Sequence, residues 1–111
     1  GSEVFLLRNM RAGGVGCITA GANVNPHGID RVYRGWQSAE AETLQAGIDK
    51  VRQILQSQAS MIPALKACIA HYAADPDWVT VRPPLVEQTL EERAKMVSDL
   101  LAAGFDMPGI K

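Results

Sequence analysis

The stretch "GGVGCITAGANVNP", residues 13–26, decides how this chain is read, because no other segment has the make-up of a buried β-strand. Residues 15–20 form a short apolar run with β-branched side chains between glycines, and they lack the polar alternation of a half-exposed strand. A buried strand cannot stand alone, since each unpaired backbone N–H or C=O costs about 1–3 kcal/mol. Three readings are open at this point. The segment is not a strand, or it pairs with a copy of itself in an oligomer, or it belongs to a larger protein that supplies its neighbours.

On either side the pattern is helical. Upstream, residues 3–11 carry Val4, Phe5, Leu6, Leu7 and Met10 as a wide apolar stripe, with Ser2 as a candidate N-cap and Gly13-Gly14 as the stop. Downstream, Asn25-Pro26 is a helix start: Asn can accept from the free N–H groups, and Pro is tolerated at the first helical position. This helix bears Ile29, Val32, Tyr33 and Trp36 and ends near Gly35. Ser38 can cap the next, in which Leu44, Ile48, Val51 and Leu55 recur at spacings of four, three and four. A fourth helix is expected over 63–74, with Ile62, Leu65, Ile69 and Tyr72 on one face, stopped by Asp75-Pro76. "VTVRPPLVEQ" reads as extended or irregular because two prolines prevent regular pairing. Thr89 and Glu92 match a capping box opening a last helix with Val97, Leu100 and Leu101, closed by Gly104.

Helix, glycine, buried strand, helix is part of a parallel α/β repeat, whose further strands come from βα units absent from these 111 residues. The expectation is the C-terminal part of an α/β protein followed by a helical extension, mostly helical as it stands. Its 11 basic and 12 acidic residues are spread along the chain, leaving neither a basic stripe for nucleic acid nor an acidic tail. No apolar run suggests a membrane span and no signal-peptide layout is visible, so the default expectation is a cytoplasmic protein without a membrane partner. Cys17 and Cys68 lie in apolar patterns without metal-site spacing and read as small buried hydrophobes.

The ordered set "GSE", "AGGVGCITAGANVNP", "MIPALKACIAHY" and "VRPPLVEQTLEERAKMVSDLLAAGF" resembles the C-terminal third of the dihydrodipicolinate synthase and N-acetylneuraminate lyase family, over essentially the whole chain. The resemblance implies a C-terminal fragment of a (β/α)8 TIM barrel with a three-helix extension. A complete barrel needs roughly 250 residues. On this mapping residues 1–37 are the last part of the barrel: the loop after the seventh strand, the seventh helix over 3–11, the eighth strand over 15–20 and the eighth helix over 26–35. Residues 38–111 are then the C-terminal helical extension.

Members of the family join pyruvate to an aldehyde, or cleave the adduct, through a Schiff base to a lysine that must be able to lose its charge. By resemblance that lysine and its partner tyrosine lie on strands upstream of Gly1, so no catalytic residue is expected in this chain, and alone it is expected to be inactive. No cofactor or metal is implied. The implied partners are pyruvate, an aldehyde-type second substrate, the remainder of the chain's own barrel, and further copies of the protein as a homo-oligomer, a tetramer by resemblance. Ile18 matches the eighth-strand position whose backbone lines the pyruvate pocket. Ser2 and Glu3 match the loop that contacts the second substrate, although many members have Asp where this chain has Ser2. Glu3 equally suits the N-terminus of a helix.

The other candidates are weak. Lys50, Lys66 and Lys95 fall on expected helices, and Lys66, which matches a lysine often seen in the family, reads as a surface side chain lying over its neighbours. The glycines at 13, 14, 16 and 21 make neither a dinucleotide fingerprint nor a P-loop. His27 and His71 are isolated, and Trp36 and Trp78 read as helix-packing residues. The rival function is a stand-alone helical interaction module without catalytic activity, in which residues 38–104 form a bundle and the glycine-rich segment is a linker or a dimerising strand.

Overall fold

The computed structural model describes residues 1–110. Among them are five α-helices: α1 (Leu6–Arg11), α2 (Pro26–Gly35), α3 (Ala41–Gln56), α4 (Met61–Tyr72) and α5 (Leu90–Ala102). Short 3-10 turns occupy Glu3–Phe5, Ala20–Asn23 and Pro76–Val79. The chain divides into one compact unit over Gly1–Arg52 and a second from Gln53 onward. No described helix is long and apolar enough to cross a membrane.

In the first unit the Glu3–Phe5 turn leads into α1, and the Ser2 side chain accepts from the Val4 N–H at its start. α1 ends in a Schellman arrangement, the Gly14 N–H donating to the Asn9 carbonyl at 2.8 Å and Gly13 N–H to Met10 at 3.1 Å. Gly13 has φ +91, the left-handed geometry that glycine adopts without strain. α2 begins as the sequence predicts, with Pro26 at its first position and the Asn25 side chain accepting from the Gly28 N–H at 3.3 Å. α1 packs on α2, and Leu6, Leu7, Met10, Ile29, Val32, Ala41 and Ile48 form the core, with Cys17, Trp36 and Leu44 packed against it. Ser38 does not cap α3 itself. Its hydroxyl accepts from Glu40 N–H in the preceding turn, and α3 begins at Ala41.

In the second unit α4 packs against α5 and against the Pro76–Val79 turn. α4 starts two residues earlier than expected and buries Ala64, Leu65, Ala67, Cys68 and Ala70, whereas Ile62 is exposed. α5 has the expected capping box, with Thr89 Oγ1 accepting from Glu92 N–H at 3.1 Å and Glu92 Oε2 accepting from Thr89 N–H at 2.9 Å. It closes at Gly104, where Phe105 N–H donates to the Leu100 carbonyl and the Phe105 ring is buried. Leu101 points outward, and Met96 takes the buried place.

The strand expected over 15–20 requires correction. Residues 14–19 form no β-bridge among the described residues, and residue 20 already belongs to a 3-10 turn. The segment does end in extended backbone, Thr19 having φ −150 and ψ 143. Burial on both faces fails too: Val15 is 88% and Ile18 91% exposed. The physical reason is the pairing requirement itself. A ladder is a property of two segments, and among the described residues no second extended segment is paired with this one.

Candidate functional site

The first unit has an open apolar depression of about 690 Å³ where the N-terminal loop meets the extended segment. Its floor and walls come from Gly1, Ser2 and Phe5 on one side and from Val15, Cys17 and Ile18 on the other. The two sides touch closely: a Cβ on Gly1 would lie 2.6 Å from the Ile18 carbonyl oxygen. Asn9 fastens the far end of the extended segment, its side-chain N–H₂ donating to the Gly16 carbonyl at 2.8 Å.

Behind this surface lies a buried polar cluster. Glu3 is 2% exposed, and its Oε2 accepts from the Thr19 hydroxyl and, at 2.8 Å, from Arg52 Nη1. Arg52 Nη1 also lies 3.2 Å from Thr19 Oγ1, which accepts in turn from the Gly21 N–H at 3.3 Å. The side chains of Arg52 and Glu3 are 15% and 3% exposed, so this is a largely buried ion pair, held by hydrogen bonds on both members. The close packing requires glycine at 21, where an added Cβ would fall 2.0 Å from Glu3 Oε1. One helical face of α3 supplies a second tie. Buried Gln45 accepts from Leu7 N–H at 3.1 Å and shares its amide protons among the carbonyls of Glu3 and Val4 and the Asp49 carboxylate.

Ser2 and Ile18 therefore both line the depression, whereas Glu3 sits behind it with its carboxylate turned to Arg52 and Thr19. The sequence reading missed Thr19, Gln45 and Arg52. A signal for two of them existed: Ala41, Gln45, Ile48, Arg52 and Leu55 follow a core spacing of four, three, four and three, and two of the five are polar. Cys17 is half-buried rather than fully buried; burial raises its thiol pKa, and the Glu3 carboxylate raises it further. Cys68 is 0% exposed, and burial pushes its thiol up to about 12.

The lysines within the described residues lie elsewhere. Lys50 is exposed, Lys66 donates to the Thr80 carbonyl, and exposed Lys95 pairs with Asp99 at 2.8 Å. No described group of three or more His, Cys, Asp or Glu residues could hold a metal ion, and His27 and His71 are exposed. Trp36 packs on the core of the first unit, while Trp78 is 44% exposed.

Comparison with known proteins gave no match among curated proteins and none among solved structures. The model of the dihydrodipicolinate synthetase family, by contrast, matches residues 1–103, and the chain belongs to that family.

Proposed function

We propose that this chain supplies the closing part of a pyruvate-dependent, Schiff-base-forming carbon–carbon lyase. In this reading residues 1–37 complete a (β/α)8 barrel and residues 38–111 form its helical extension. Residues 15–19 are the eighth strand, and strands one and seven of the same barrel are its partners. The observation that carries the reading is the run from Val15 to Thr19 in a chain of this family: among the described residues it forms no β-bridge, Val15 and Ile18 are exposed on one side of an apolar depression, and Thr19 is in extended backbone. In barrels of this type the active site lies at the C-terminal ends of the strands, and the loop Gly21 to Asn25 follows such an end.

Ile18 then forms backbone wall for pyruvate, and Ser2 and Glu3 belong to the loop that meets the aldehyde-type second substrate. The Schiff-base lysine and its tyrosine lie outside residues 1–111, which makes the chain inactive by itself. The lysines described above support this, for Lys50 and Lys95 are exposed and Lys66 donates to the Thr80 carbonyl. A homo-oligomeric parent, tetrameric by family resemblance, and a cytoplasmic setting complete the reading; the two free thiols fit a reducing compartment.

The test is borohydride trapping with pyruvate on the longer protein. The lysine amine attacks the keto carbonyl, water leaves, and hydride from borohydride reduces the imine to a stable secondary amine. The adduct is expected on a lysine outside residues 1–111. An adduct on Lys50, Lys66 or Lys95 overturns the proposal, and so does a pyruvate-unreactive protein, which would favour the helical interaction module.

A further inference from the structure

We propose that Arg52 is a positioning residue of the pyruvate pocket, acting through Glu3 and Thr19 on the backbone that carries Ile18 and on the loop Gly1–Ser2. The inference rests on the pyruvate reading above and deepens it. Arg52 does not border the depression; it lies on α3, in the segment assigned to the helical extension, and reaches back to the tip of the extended segment.

The geometry makes the coupling direct. In extended backbone successive side chains point to opposite faces, so whatever holds Thr19 on one face also aims Ile18 at the other. Thr19 is held by three partners: its hydroxyl donates to Glu3, and its oxygen accepts from Arg52 and from the Gly21 N–H. Ile18, one residue earlier, is 91% exposed and borders the depression. The same Glu3 carboxylate that receives Arg52 is one residue from Ser2, on the opposite wall. Arg52 thus joins both walls at a single buried point. Its loss takes one hydrogen bond from Thr19 and the counter-charge from Glu3 and lets the walls shift, while no group touching pyruvate is removed. The extension is thereby made part of the pocket's construction instead of an appendage to the barrel.

The test uses the longer protein with pyruvate as probe and borohydride as trap. The trapping rate against pyruvate concentration gives a half-saturating concentration and a saturating rate. Arg52→Met is expected to raise the half-saturating concentration about tenfold and to leave the saturating rate within about twofold, because misplaced walls weaken binding of a substrate whose reacting lysine is intact. Arg52→Lys, which returns a cation to Glu3, is expected to recover most of the loss. Thr19→Val cuts the same link without changing any charge and is expected to weaken pyruvate binding similarly; it carries the test if Arg52→Met does not fold. A merely structural role for Arg52 lowers the yield of folded protein without moving half-saturation. Half-saturation unchanged in Arg52→Met or in Thr19→Val overturns the inference while leaving the pyruvate reading intact. Absence of any adduct in the unsubstituted protein overturns both.

Discussion

Replacing Arg52 by Met leaves the Glu3 carboxylate, whose side chain is 3% exposed, without its cation. Removing one member of a buried ion pair costs about 3–5 kcal/mol, because the remaining charge is neither solvated nor neutralised. Glu3→Gln is milder, about 1–3 kcal/mol, since an amide oxygen can still accept from Thr19 and the guanidinium, at 15% exposure, lies nearer to water. The double variant removes both charges. It is expected to be more stable than Arg52→Met alone, with a coupling of about 1–3 kcal/mol between the two sites. Urea unfolding followed by Trp36 fluorescence measures this cycle, because Trp36 packs against the core of the unit that holds the pair. Trp78, 44% exposed in the other unit, is replaced by Phe in all four proteins to keep the signal specific. Single-variant losses below about 1 kcal/mol that simply add would refute the reasoning, for that is how solvent-exposed pairs behave.

Four further outcomes follow from local geometry and burial. Gly21→Ala is expected to lose about 1–3 kcal/mol in the same unfolding assay, since the new methyl would stand 2.0 Å from Glu3 Oε1, and to lose less in a Glu3→Ala background. Ala74, which ends α4 at φ +53, is expected to gain about 0.5–1 kcal/mol on replacement by Gly, read as a higher urea midpoint by far-UV circular dichroism. The Cys68 thiol is raised from 9.0 to about 12 on folding, so its contribution to stability is full below pH 9 and is lost as pH rises towards 12. Cys68→Ala should flatten that alkaline limb. In the intact fold iodoacetamide should label Cys17 and spare Cys68 at mildly alkaline pH, because only the former is partly accessible.

What the sequence revealed and what it hid divide along the range of the interactions. The Asn25-Pro26 start of α2, the Thr89–Glu92 capping box and the Gly104 stop are set by residues within five positions of one another, and each was legible. The face of α4 was not, because the helix is apolar on most sides and periodicity cannot choose among them; the small residues Ala64, Ala67 and Cys68 went inside and Ile62 stayed out. The buried cluster was invisible for a different reason. Glu3, Thr19 and Arg52 lie 16, 33 and 49 positions apart from one another, beyond any local rule. Residues 15–20 carry a strand's composition, but composition supplies no partner.

In the proposed function residues 15–19 are a barrel strand whose partners lie outside residues 1–111. Amide hydrogen exchange of Val15 to Thr19, compared between this chain alone and the longer protein, tests it most directly. Fast exchange is expected in the isolated chain and strong protection in the longer protein, with the amides of α2 protected in both. Strong protection of Val15 to Thr19 in the isolated monomer, or fast exchange in the longer protein, would contradict it.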